Sequence, residues 1–340
     1  MYESFYGLSE LPFELTANPK FLYLSARQRE ALSVMQYGLF AAKSLTLLIG
    51  DAGTGKTTLL QAAFESDRCR DVRCLYLNNP TLRPDDFIRQ LALKFGLAPE
   101  VGESKALLLQ QLELLVRERR AAGQTTALVV DEAQSLSHEM LEEIRFLANI
   151  ETPVARLLPL VLAGQPELAA RLEEANLRQL KQRVVLRAQL QPFELEDTSA
   201  YMASRIITAG GDPDRMFSLE AVMLIHELSG GIPRTISVIC DNALLSGMAL
   251  GRPRVTRASV AAVGRDLQLK PTRRSPETNS LARQPEPALV LTPLVETEGK
   301  AATADAAKTD IQRPPKSSRP EPLRLTGTAS SRRFDRTITE

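Results

Sequence analysis

Eight consecutive residues, Gly50, Asp51, Ala52, Gly53, Thr54, Gly55, Lys56 and Thr57, satisfy the pattern G-x-x-x-x-G-K-[ST] in full, and Thr58 adds a further hydroxyl. Glycines at 50, 53 and 55 allow backbone N–H groups to turn inward on phosphate oxygens. A helix opening at Lys56 would add its positive dipole end. In that setting Lys56 reaches the β- and γ-phosphates of a nucleotide, and the Thr57 hydroxyl ligates Mg²⁺. A chance Gly-rich turn is the bland alternative. Against it stand the apolar run at 45–49 and the helical pattern at 56–64, the strand and helix that this motif requires on either side. ATP with Mg²⁺ is therefore the expected ligand pair.

A second acidic element follows the apolar run Ala127, Leu128, Val129, Val130 and consists of Asp131 and Glu132. Carboxylates at the carboxyl end of a buried parallel strand point into the crevice where open α/β sheets bind ligands. Asp131 would hold the Mg²⁺ ion through its waters, and Glu132 would orient and polarise the attacking water. A strand-to-helix turn with Asp as an N-cap is the competing reading. Leu160, Val161, Leu162 and Ala163 lead in the same way to Gly164 and Gln165, whose amide would lie beside the acids; a polar turn residue is the alternative.

Two arginines complete the set. Arg183 closes a helical stretch at 177–182 just before a strand, a place from which it could extend into a neighbouring subunit's site. Arg234 ends Gly230, Gly231, Ile232, Pro233, Arg234, where a Gly-Pro start opens a helix and aims a cation towards the phosphates. A permanent charge on a planar fork suits both roles. From spacing alone, a surface arginine on a helix stays open for each.

The elements that must position these residues are legible as alternating periods. Strand-like runs at 45–49, 72–77, 127–130, 158–163 and 184–186 are separated by helical patterns that include 56–64, 84–95 and 105–120. Continuous apolar strands between helices predict a doubly wound parallel five-stranded sheet covered on both faces, over residues 25–190. From 194 to 266 the period is helical throughout, with Gly210-Gly211, Gly230-Gly231 and Gly251 as breakers, so a small all-helical region is expected over 191–268. Beyond residue 269 Pro, Thr, Ser, Arg and Glu dominate, and a disordered tail to residue 340 is expected because so little apolar surface is available to bury.

Composition excludes several functions. With 42 basic and 41 acidic residues the net charge is +1, which gives no global attraction to nucleic acid or anionic membrane. The basic stretch Arg117, Glu118, Arg119, Arg120 is interrupted by an acid and lacks interleaved aromatics, so a solvated face is favoured over nucleic acid. Cys69, Cys74 and Cys240 have no ligand spacing with His138 or His226 and read as reduced structural thiols. His138 itself reads as structural or exposed. The N-terminus has no signal-peptide pattern and no apolar run reaches the roughly 20 residues of a membrane span, so a cytoplasmic protein is expected.

In order, the pieces 50–57, Asp131-Glu132-Ala133-Gln134, Ala163-Gly164-Gln165-Pro166-Glu167-Leu168, 180–184 and 230–234 resemble an AAA+ ATPase. The opening residues 1–8, with Pro12-Phe13 and 19–25, resemble the ExeA-like group, which includes general secretion pathway, pilus-biogenesis and exopolysaccharide-associated ATPases of bacteria. The resemblance covers residues 1–267, with 1–24 as an N-terminal family segment. It implies Lys56 and Thr57 as the Walker A pair, Asp131 and Glu132 as Walker B, Gln165 as sensor 1, Arg183 as the trans-acting arginine finger and Arg234 as sensor 2. Asn78 falls where some members restrain the catalytic glutamate, and residues 21–24 fall where the adenine is lined.

The resemblance further implies a homo-oligomer with secretion or other envelope-assembly components as partners, peripheral at the inner membrane. Secretion-type members continue into a membrane helix and a cell-wall-binding domain, so the shorter pilus-type or polysaccharide-type members are the expected match. A DNA-associated regulator of the transposition-helper or origin-recognition type is the alternative.

Overall fold

Leu45–Gly50 forms β1, buried at every position, and the loop that follows it is placed by the strands on either side. The structure is a computed structural model that describes residues 1–16, 18–78, 83–152 and 155–270. Strands β2 (Val72–Leu77), β3 (Thr125–Val130), β4 (Leu160–Gly164) and β5 (Val184–Leu190) complete a five-stranded sheet in the order β2-β3-β4-β1-β5. Every pairing in it is parallel. The predicted doubly wound sheet is present.

Side-chain alternation along the strands divides the core in two. Leu45, Leu47 and Ile49 of β1 join Leu128, Val130, Leu160 and Leu162 on one face, under the helices Pro84–Phe95, Lys105–Ala121 and His138–Leu147. Leu48 joins Ala127, Val129, Val161 and Ala163 on the other face, under Ala26–Phe40 and Lys56–Phe64.

Two strands differ from expectation for physical reasons. β4 begins at Leu160 rather than 158, because Pro159 has no N–H to give the ladder; its carbonyl still accepts from Leu128 N at 3.0 Å. β5 runs to Leu190 rather than stopping at 186. It is an edge strand, so exposed Arg187 and Gln189 alternate with buried Ala188 and Leu190 and break the apolar run that marks a central strand.

After β5 the chain is helical, as expected: Leu195–Thr208, Pro213–Met216, Leu219–Ser229, Pro233–Ala249 and Arg257–Asp266. This bundle does not close on itself alone. Tyr2, Leu8, Phe13 and Phe21 from the N-terminal segment are buried in its core beside Ile236, Ile239 and Leu244. Tyr2 Oη donates to Asp241 Oδ1 at 2.6 Å, and the Arg205 guanidinium donates to the carbonyls of Pro12 and Glu14. The tail expected over 269–340 lies, from residue 271 on, outside the described residues.

Gly231 packs the bundle against the segment that leaves β5. Its φ is +75°, Phe193 N donates to its carbonyl at 2.7 Å, and a Cβ there would meet Phe193 O at 2.1 Å. Gly231→Ala is expected to lower stability by at least about 2 kcal/mol, from left-handed strain plus collision with backbone. For a chain of this size that is a fall of roughly 3 °C or more in the unfolding midpoint, read by calorimetry.

Candidate functional site

The strand register sets the site. Ile49 pairs with Gly164 and Gly50 with Leu190, while Val130 pairs with Leu162. The loop after β1, Asp131 after β3 and Gln165 after β4 thus leave the sheet at the same edge, on neighbouring strands about 4.8 Å apart. This edge is the carboxyl end, where open α/β sheets place their ligands.

The loop after β1 turns through Gly53 and Gly55, with φ of +80° and +97°. Gly55 caps the helix Lys56–Phe64, so the free N–H groups of that first turn face the loop. A Cβ on Gly53 would stand 2.9 Å from Arg234 Cβ, so the loop and the bundle approach as closely as glycine allows. Lys56 is buried, and its ammonium donates to the carbonyls of Gly50 at 2.8 Å and Asp51 at 3.1 Å. An ammonium has three N–H donors, so one is left for an anion in the cradle.

The acids after β3 are tied to this loop. Thr57 Oγ1 donates to Asp131 Oδ2 at 2.7 Å, and Asp131 Oδ1 accepts from Glu132 N at 2.9 Å. Glu132 adopts a left-handed backbone with φ of +52°, uncommon outside glycine, which turns it off the strand axis. Its Oε2 accepts from Gln134 Nε2 at 2.5 Å and from Gln165 Nε2 at 3.5 Å. Gln134 also accepts from Gln165 N at 3.0 Å, so two amides from different loops hold one carboxylate. Asn78, by contrast, is exposed at the end of β2. The restraint on Glu132 here comes from Gln134 and Gln165.

Arg234 meets the loop from the bundle, where its backbone N–H donates to Gly53 O at 3.2 Å. A cleft of about 390 Å³ is bounded by Gly53 to Leu59, Glu132, Pro233 and Arg234. Phe21 to Leu24 of the N-terminal segment form another wall, with Tyr201 and Arg205 of the bundle. Arg183 is not part of this cleft. It immediately precedes Val184, which pairs with Leu45 at the start of β1, so at about 3.3 Å per residue it lies roughly 16 Å from the phosphate loop.

Three side chains at the site had no role from sequence. Gln28 is buried, caps the Ala26–Phe40 helix with Ser25 and donates from Nε2 to Thr54 O at 3.3 Å. Its only sequence mark is the S-x-x-Q capping spacing. Gln134 stands within the acidic motif but could be read there as a turn residue. Tyr76 Oη donates to Asp131 Oδ2 at 2.5 Å; burial, then that hydrogen bond and charge, push its pKa far up, so it stays a donor. In sequence it is one aromatic in a strand.

The site fits a nucleotide with Mg²⁺. Thr57 and Asp131 bring together the hard oxygen ligands that this ion prefers. Among the described residues no cluster of three or more His, Cys, Asp or Glu side chains is placed to hold a metal by itself. Mg²⁺ needs none, because it keeps waters and shares its ligation with phosphates. Cys69, Cys74 and Cys240 are free thiols, and no described helix is long and apolar enough to cross a membrane.

Comparison with known proteins agrees with this geometry. The family described as AAA domain matches residues 41–172, from just before β1 to beyond Gln165. General secretion pathway protein A of Aeromonas hydrophila is 38% identical over 261 residues, 77% of this chain and 47% of that protein. Residues 41–172 are an AAA domain. The expected resemblance to the ExeA-like group is borne out by that relative, of whose length this chain spans about half.

Solved structures show the same fold at low identity. The Cdc6p protein of Pyrobaculum aerophilum gives a TM-score of 0.58 at 20% identity, covering 79% of this chain and 73% of that one. The ORC2 protein of Aeropyrum pernix, in ADPNP–ADP complexes, gives 0.57 at 17%, covering 78% and 73%. The AAA domain implies nucleotide binding.

Proposed function

We propose that this protein is a Mg²⁺-dependent AAA+ ATP hydrolase that acts as a homo-oligomer on a bacterial envelope assembly of the secretion, pilus or exopolysaccharide kind. One observation carries the hydrolytic part: Lys56, Thr57, Glu132 and Arg234 line one cleft, with Asp131 hydrogen-bonded to Thr57 and Gln165 to Glu132. The envelope assignment is supported by the relative named general secretion pathway protein A, and the reading includes a place in the cytoplasm, peripheral at the inner membrane.

In this reading residues 50–58 cradle the triphosphate, with Lys56 turning its remaining N–H to the β- and γ-phosphates. Thr57 and Asp131 hold Mg²⁺, which when bound neutralises charge building on the phosphate oxygens. Glu132 orients and polarises the water. Gln165, hydrogen-bonded to the Glu132 carboxylate, would sense the γ-phosphate or position that water, and Gln134 holds the same carboxylate. Residues 21–24 line the base. Arg234 reports the phosphates to the helical region at 191–268, which serves as a lid over the α/β domain at 25–190.

Lys56→Ala should weaken binding of a fluorescent ATP analogue by about 10- to 100-fold, the loss of one or two charge-assisted hydrogen bonds. Unchanged affinity would sink the phosphate assignment. DNA-stimulated turnover with a steep salt dependence would instead move the protein to the DNA-associated regulators.

A further inference from the structure

Asp131 is held by more than its own loop. Its Oδ2 accepts from Thr57 Oγ1 at 2.7 Å and from Tyr76 Oη at 2.5 Å, while Oδ1 accepts from Glu132 N at 2.9 Å. A carboxylate oxygen has two in-plane lone pairs, so two hydroxyls fill Oδ2 and one site on Oδ1 stays open. The donors come from three different elements: the helix Lys56–Phe64, β2 and the turn after β3. Three bonds from separate directions fix the plane of the carboxylate.

Tyr76 is itself tightly placed. It pairs with Val129 in the parallel register, two residues before Asp131. Its ring packs edge to face on Phe64, with centroids 6.2 Å apart and planes at 66°. Phe64 is the last residue of the helix whose first two are Lys56 and Thr57. The tyrosine thus touches both ends of that helix's role: ring on its C-terminus, hydroxyl on the carboxylate that Thr57 shares. A phenylalanine would fill the same space without the hydroxyl.

We propose that Tyr76 is a positioning residue for the divalent-cation site, its hydroxyl orienting Asp131 Oδ2 alongside Thr57. This deepens the Mg²⁺-dependent reading above and rests on it. Groups that hydrogen-bond to a metal's carboxylate typically contribute 10- to 100-fold to metal affinity, because they spare the site the cost of ordering its ligand. β2 holds Asp131 twice: the Asp131 backbone N–H donates to Leu77 O at 2.8 Å, and Tyr76 supplies the side-chain bond that reaches the carboxylate itself.

The test uses the full chain and a fluorescent ATP analogue titrated with Mg²⁺, for the natural sequence, Tyr76→Phe and Asp131→Asn. In EDTA, Tyr76→Phe should bind the analogue within about twofold of the natural chain. The Mg²⁺ concentration giving half of the metal-dependent change should rise by about 10-fold in Tyr76→Phe, and more in Asp131→Asn. Thermal unfolding in EDTA checks that Tyr76→Phe keeps its packing, since the ring remains. If Asp131→Asn raises the Mg²⁺ midpoint and Tyr76→Phe leaves it unchanged or lowers it, the role of Tyr76 is overturned while the cation site stands. If neither variant moves the midpoint, the cation site itself is misassigned and the proposal falls with it.

Discussion

Glu132→Gln is expected to bind ATP about as tightly as the natural chain and to turn it over about 10²- to 10⁴-fold more slowly, the range contributed by a positioned general base. The side chains have nearly the same shape, and the amide oxygen of the variant can still accept from Gln134 Nε2, which holds the carboxylate at 2.5 Å. The left-handed φ of +52° costs glutamine and glutamate alike, so the backbone there should not shift. What the variant loses is a charged oxygen able to polarise water. Equilibrium binding together with single-turnover hydrolysis separates the two effects. Full turnover in Glu132→Gln would remove this residue from the chemistry.

Arg183→Ala should have an effect of similar size, but only where subunits meet. Arg183 stands at the far end of β1 from the phosphate loop, so it cannot serve the cleft of its own chain. An arginine supplied in trans accelerates phosphoryl transfer by about 10³ to 10⁵. In the natural chain, activity per subunit should therefore climb steeply with protein concentration. In Arg183→Ala the climb should disappear, with a fall of about 10³ at the highest concentration and an unchanged unfolding midpoint. Mixing Arg183→Ala with Lys56→Ala chains should then restore part of the activity, because each supplies the half-site that the other lacks. Normal turnover in Arg183→Ala alone would reject the assignment in trans.

The Gly231 docking gives these experiments a structural frame. Arg234 reaches the loop only because Gly231 lies against the Phe193 backbone three residues earlier in the same turn. Substitutions that loosen this docking are expected to act on stability first and on the cleft second. That order distinguishes them from Glu132→Gln, which touches no packed surface of the bundle.

The amino-acid sequence by itself determined the phosphate loop, the acidic pair and the parallel sheet. In each case local chemistry leaves few options: a Gly-Gly-Lys-Thr spacing between a strand and a helix, an aliphatic run ending in carboxylates, a buried strand between amphipathic helices. The edge strand β5 was legible only in part, because an edge exposes alternate side chains and dilutes the apolar signal. Tertiary structure alone decided which groups hold the acids. Tyr76 is 55 residues from Asp131, and Gln165 is 33 from Glu132, separations at which no local period carries information. It also decided that the N-terminal segment packs into the helical bundle and walls the cleft, since Tyr2 and Asp241 meet across 239 residues. Sequence fixes what local spacing can encode. Hydrogen bonds between distant strands and loops are chosen only when the sheet brings their ends to one edge.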